Sequence, residues 1–169
     1  MDKLAKNAVL SDQVIKIEHV EAHALSVAVE NGPVSSLGKF KTRNGLLIAL
    51  TDSKGVTGWG EIWCNFPQRG ALGRMNLLQD TIAERLLDLE FYKFDEVRPK
   101  LEADFHRMIT HTGEYGPFNN CFAGIDTALA DMEAKRHGQS LSQFLAASTA
   151  SKIPAYASTP NVDDLERSI

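Results

Sequence analysis

A single carboxylate, Glu61, sits in the run VTGWGEIW (Val56 to Trp63), flanked by Gly58, Trp59, Gly60 and Trp63. A carboxylate in an apolar stretch can act as a general base, contact a substrate, or accept structural hydrogen bonds. No partner acid, metal ligand or nucleophile lies within sequence reach, so catalysis has little support. Glu61 is read as structural, accepting hydrogen bonds where its strand leaves a sheet. Trp59 is read as a core residue that the small glycines let approach its neighbours. Asp104, His106, His111 and Glu114 could be drawn as a metal cluster. Asp104 and His106 are two apart, however, so on a helix they point away from each other, and His111 lies past the helix end. Asp126 and Asp131 lie too far round one helix to form a paired acid site. Cys64 and Cys121 form no metal motif and are read as free thiols, Cys64 packed rather than reactive. No catalytic residue and no metal ligand is therefore assigned. Two polar loops remain. Val34 to Thr42 carries Lys39, Phe40 and Lys41, with Arg43 just beyond; Trp63 to Gly70 carries Trp63, Asn65, Phe66, Gln68 and Arg69. Aromatic walls with cationic and amide groups suit a small hydroxylated carboxylate. On composition alone, such loops are also ordinary protein surface.

The chain of 169 residues suits one domain with a sizeable core. A net charge of −4 argues against a nucleic-acid or anionic-membrane partner, either of which needs a concentrated basic patch. No apolar run approaches membrane-span length. Residues 1–13 are too polar for a signal peptide and read as a mobile arm, and two thiols without a secretion signal suit the reducing cytoplasm.

Strands come first and helices follow. Val14 to Glu30 is a long strand with one expected phase slip: Ile15 and Ile17 face one way and Leu25, Val27 and Val29 the other, which marks a bulge or bend. Asn31 to Gly45 is dense in turn formers and reads as a long loop. Leu46 to Asp52 is a buried strand, DSKG a turn, and VTGWGEIW the returning strand, giving a three-stranded antiparallel meander. Met75, Leu78, Ile82, Leu86 and Leu89 then share one helix face. A second helix is expected from an Asp95 cap, with Pro99 in its first turn and an apolar stripe of Val97, Leu101, Phe105 and Met108. HTGEYGP breaks it. Asn119 or Asn120 should cap a third helix, which Gly138 ends. Ser140 and Gln143 form a capping-box pattern for a short helix from Leu141 to Ala147. IPAYAST (Ile153 to Thr159) reads as a further strand and NVDDLERSI as the start of a helix.

This order, with GWGE closing the third strand and GIDTALADMEAKRHG before IPAYAS, resembles the mandelate racemase/muconate lactonizing group of the enolase superfamily. Gly124, Ile125, Asp126, Ala128, Leu129, Asp131, Lys135 and Gly138 match that group's pattern on the last capping helix, and the resemblance runs over nearly the whole chain from Val14. It implies an α+β capping domain, residues 14–150, followed at 151–169 by the first strand and first helix start of an incomplete β/α barrel. AASTASK (Ala146 to Lys152) departs from the glycine pair usual there. The resemblance also implies that Asp126 bonds a neighbouring strand or loop. It implies that the two polar loops close over the barrel mouth and choose the substrate, which makes Lys39, Phe40, Arg43, Trp63, Asn65 and Phe66 the substrate-binding candidates. Ser158 and Thr159 would line the pocket. The implied chemistry is removal of the proton α to a carboxylate with Mg²⁺, its ligands and acid/base residues lying on barrel strands outside this sequence. The expected substrate is a small carboxylate, an acid sugar first (dehydration), with racemisation or cycloisomerisation as alternatives. The chain alone should be inactive. It should form a homo-oligomer or pair with a barrel segment. A non-catalytic binding or assembly module, and one half of a split enzyme, stay open as rivals.

Overall fold

The computed structural model describes residues 14–30, 32, 34–36, 38–67, 69–146, 150 and 152–156. The expected arm at 1–13 and the segment from residue 157 lie outside them. Strand β1 (Ile15–Ala28) pairs antiparallel with β4 (Thr42–Asp52), and β4 pairs with β5 (Thr57–Glu61). Between β1 and β4 a separate two-residue hairpin forms from β2 (Val34–Ser35) and β3 (Gly38–Lys39). A short β6 (Glu90–Phe91) joins the far side of β1, so the sheet order is β5-β4-β1-β6. The meander is thus present. β4 begins earlier than the loop formers of Asn31 to Gly45 suggest, because Thr42 to Gly45 find partners on β1. The register slips between Ile17 and His19. That bulge explains why Ile15 and Ile17 are buried while Leu25 and Val27, of the same parity, are exposed.

The helical layer starts with α1 (Gly70–Leu77), which passes through a π turn (Leu78–Ile82) into α2 (Ala83–Leu87). Leu78, Ile82 and Leu86 are fully buried, as their spacing predicts. A 3₁₀ turn (Phe94–Glu96) leads into α3 (Val97–Thr112), so Asp95 is not its cap and no side chain caps it. Glu96 instead bonds back to the Tyr92 amide, 3.0 Å away. Gly113, with φ 72°, ends α3. α4 (Tyr115–Arg136) starts before Asn119 and Asn120, and Asn119 lies inside it, donating to the Tyr115 carbonyl. Pro117 explains the early start, since a proline in the first turn forfeits no helical hydrogen bond. Gly138, with φ 64°, follows the end of α4. Ser140 and Gln143 form the expected reciprocal cap on α5 (Leu141–Leu145).

α4 lies directly on the backbone of β5. A Cβ on Gly58 would fall 2.0 Å from the Ala128 carbonyl oxygen, and one on Gly60 2.1 Å from that of Gly124. Only glycine fits at that approach. The same alternation turns Trp59 outward. It is 46% exposed, not a core residue, and stacks on His23 with centroids 5.8 Å apart. β5 is an edge strand, and α4 covers that edge with side chains. Asp131 accepts the Trp59 amide hydrogen at 2.8 Å, and Lys135 donates to the Thr57 carbonyl at 2.9 Å. The two also pair with each other at 2.7 Å. At the other end Asp52 accepts the Lys54 and Val56 amides of the β4–β5 turn and a 2.6 Å bond from Arg136, both partners buried. Residues 152–156 form no strand, and Ile153 and Tyr156 are 79% and 90% exposed. The expected strand there has no neighbour to supply its ladder among the described residues. None of the described helices is long and apolar enough to cross a membrane.

Candidate functional site

The two polar loops meet at one end of the sheet. Phe40, just after β3, meets the Phe66 ring edge-on at 4.8 Å. Arg43, the second residue of β4, places its guanidinium 4.8 Å from the Phe40 centroid. Gly32 is buried under this corner, where a Cβ would lie 1.9 Å from the Phe40 carbonyl oxygen, so the loop backbones pack too tightly for a larger residue. Trp63 stands half exposed at the start of the second loop, with the Arg74 guanidinium 5.8 Å from its ring centroid. Of the six substrate-binding candidates, the structure therefore brings Phe40, Arg43 and Phe66 into direct contact and ties Trp63 to them through Arg74. Lys39 is exposed on β3 and Asn65 half-buried; neither makes a side-chain bond among the described residues. Gln68 lies outside the described residues, as do Ser158 and Thr159.

Arg74 carries no signal in the sequence except its place. It stands three residues after Ala71 and four before Leu78, on the buried stripe of α1, where an apolar residue is expected. It is 7% exposed and donates to the Phe66 carbonyl at 3.2 Å and the Gly70 carbonyl at 3.1 Å. It has no carboxylate partner among the described residues, and its Nε–H is buried without an acceptor. Its charge lowers the Cys64 thiol pKa. Burial, the larger effect, and Glu61 raise it, so the thiol ends above its ordinary value. Burial also pushes Cys121 up to about 12, against the pull of Arg74. Both cysteines are buried and free, as expected.

Glu61 does not behave as expected. Its side chain is exposed at the end of β5 and accepts no hydrogen bond among the described residues, because alternation sends it to the solvent face opposite Leu47. The two helix aspartates also differ from the expectation. Asp126 bonds Arg98 of α3 at 2.8 Å rather than a strand or loop, while Asp131 is the one that reaches β5. Burial raises the Asp126 pKa more than Arg98 lowers it. Asp104 pairs with Arg85 of α2, and His106 and His111 are exposed. Among the described residues no three His, Cys, Asp or Glu side chains could hold a metal ion.

Residues 19–146 match the family model for the mandelate racemase / muconate lactonizing enzyme, N-terminal domain. The chain belongs to that family. In this mandelate racemase/muconate lactonizing cap the GID…D…K pattern is a docking and edge-covering device, since Gly124 and Ala128 seat β5 and Asp131 and Lys135 cover its edge. Among curated proteins the chain is 27% identical over 148 residues to o-succinylbenzoate synthase of Bacillus subtilis, covering 84% of this chain and 36% of that protein. Among solved structures it is similar to a mandelate racemase/muconate lactonizing enzyme from Bordetella bronchiseptica, with TM-score 0.70 and 34% identity, covering 79% of this chain and 34% of that one. It is also similar to an enolase-superfamily member from Polaromonas, with TM-score 0.59 and 27% identity, covering 72% and 30%. The chain thus spans about a third of the length of these relatives.

Proposed function

We propose that this chain is the substrate-selecting cap of an enzyme that removes the proton α to a carboxylate, working with a β/α barrel supplied on the same or another polypeptide. The observation that carries the reading is the convergence of the two polar loops, Phe40 against Phe66 with Arg43 over Phe40. Two loops so joined can form one wall over a barrel mouth. Phe40, Phe66 and Trp63 would exclude water from the substrate's apolar face. Arg43 and Lys39 would attract and orient a small carboxylate, with Asn65 free to bond a hydroxyl. An acid sugar undergoing dehydration is the first candidate. The matched relatives include an o-succinylbenzoate synthase, which keeps other small carboxylates in play. Residues 14–150 would be the cap, and the segment from residue 151 would lead into the first barrel strand. The exposure of Ile153 and Tyr156 supports that last assignment.

The described residues do not fit a divalent metal, since no three candidate ligands come together. If the whole enzyme uses Mg²⁺, the barrel would hold it, and this chain's part is binding, orientation and exclusion of water. The test is substrate preference in the cap assembled with its barrel. Phe40→Ala and Trp63→Ala should change the ratio of kcat/KM between small acids by about tenfold or more while the cap stays folded. Unchanged ratios across a panel of acid sugars and other small carboxylates would end the reading.

A further inference from the structure

We propose that Arg74 is a positioning residue that clamps the Trp63 to Gly70 loop, holding Trp63 and Phe66 where the proposed function needs them. The proposal rests on the reading of that loop as a substrate wall. The geometry is that of one planar fork serving three loop features at once. Nη2 holds the Phe66 carbonyl at 3.2 Å, Nη1 holds the Gly70 carbonyl at 3.1 Å, and the guanidinium lies 5.8 Å from the Trp63 centroid. A guanidinium can do all three because its donors are fixed in one plane and its face stacks on aromatic rings. Gly70 leaves room for it, since a Cβ there would fall 2.5 Å from Arg74 Nη1.

The electrostatics argue that this residue is not there for stability. Arg74 is buried on the inner stripe of α1, where an ionised side chain loses its hydration. Among the described residues it has no carboxylate partner, and its Nε–H has no acceptor. A buried, uncompensated charge of this kind is commonly replaceable by an apolar side chain without loss of fold. One bond goes to the loop at Phe66 and the other to Gly70, where the loop joins α1, so its removal should loosen the loop and its junction with the helix and little else.

The two cysteines report on this separately. Cys64 is buried in the loop and Cys121 in the core helix α4, at 1% and 0% exposure. In the chain as it stands, thiol labelling of Arg74→Met should run about 10- to 100-fold faster than wild type at Cys64, as expected for losing the one charge-assisted bond to the Phe66 carbonyl. Cys121 should stay within about threefold. Electrostatics cannot produce that result, because losing the Arg74 charge raises the Cys64 pKa and slows its reaction. Arg74→Lys should behave like Arg74→Met, since a point ammonium cannot serve both carbonyls and the ring. Gly70→Ala should do the same by displacing the fork without removing its charge. In a Trp59→Phe background, which leaves Trp63 as the only tryptophan, the emission should shift to the red in all three variants. Equal acceleration at both cysteines would make Arg74 a general stabiliser and overturn the proposal. An unchanged Cys64 rate would also overturn it, and a wild-type Arg74→Lys would overturn the requirement for the fork. None of these measurements involves a substrate or a barrel, so their failure is distinct from failure of the proposed function.

Discussion

Replacing Gly60 by alanine probes the contact on which both the core and the second loop depend. Gly60 pairs with Ile48 on β4, and its missing side chain leaves room for α4. An added Cβ would lie 2.1 Å from the Gly124 carbonyl oxygen and 2.9 Å from the Ala128 amide nitrogen, both rigid helix backbone. Reaching an ordinary contact needs a withdrawal of more than about 1 Å. Overpacking of this kind costs about 1–3 kcal/mol. The same withdrawal would stretch the 2.8 Å bond from the Trp59 amide to Asp131, a charge-assisted bond of about 1.5–3 kcal/mol. The expected loss is about 3 kcal/mol or more, a large part of the stability of a domain this size. Urea unfolding followed by far-UV circular dichroism measures it. Gly45→Ala on β4 is the control, because a Cβ there meets nothing within 4 Å. That control should hold its stability or gain up to about 1 kcal/mol from lost unfolded-chain entropy. If Gly60→Ala loses less than about 1 kcal/mol, or matches Gly45→Ala, then close backbone contact is not what holds α4 on β5.

Asp52→Ala should cost about 3–5 kcal/mol in the same assay, since it strands the buried Arg136 guanidinium and two turn amides together. Stability should fall with alkaline pH. The Cys121 thiol ionises near 9.0 in the open chain and near 12 when buried, so the unfolded state releases its proton first. The stability linked to that group is complete below pH 9 and is lost progressively up to about pH 12, roughly 1.4 kcal/mol of it by pH 10. Cys121→Ala should show a shallower decline over that range, and parallel curves would refute the linkage. Finally, the exposed Ile153 and Tyr156 should drive association at micromolar concentration, and Ile153→Ala with Tyr156→Ala should reduce it. A monodisperse wild-type monomer in light scattering would count against that surface.

The meander and the helical layer were legible because their apolar periods are strong. Ile82 and Leu86 announce their helix face, and Ser140 with Gln143 announces a cap. The misreadings have local causes. Trp59 looked like core because a tryptophan between glycines reads as packed, yet strand alternation sends Gly58 and Gly60 inward and the indole out. Asn119 and Asn120 looked like caps because glycine and proline precede them, but Pro117 is tolerated in the first turn of α4. Asp126 and Asp131 differ only in which neighbour α4 turns each toward, and no pattern of residue types states that. Arg74 was invisible for the opposite reason. A cation on a buried stripe reads as an interruption until the loop it holds is in place.

The division of labour within the chain follows from these placements. The residues of the GID…D…K pattern that could be mistaken for chemistry are occupied with structure. Gly124 and Ala128 allow close approach, Asp131 and Lys135 satisfy the edge of β5, and Asp126 bridges α3 and α4 through Arg98. Each of these polar groups already has its partner, so none is free to meet a ligand. The cations of the joined loops are in the other condition. Lys39 and Arg43 form no ion pair among the described residues, and Arg74 is buried without one. These cations sit together on loops that a rigid sheet and helix hold in place, with the exposed Glu61 nearby as the opposing charge. Cations there, beside the aromatic surfaces of Phe40, Phe66 and Trp63, favour a small anion with an apolar face. The shared pattern therefore explains how the loops are held, and under the proposed function the loops would carry what distinguishes one substrate from another.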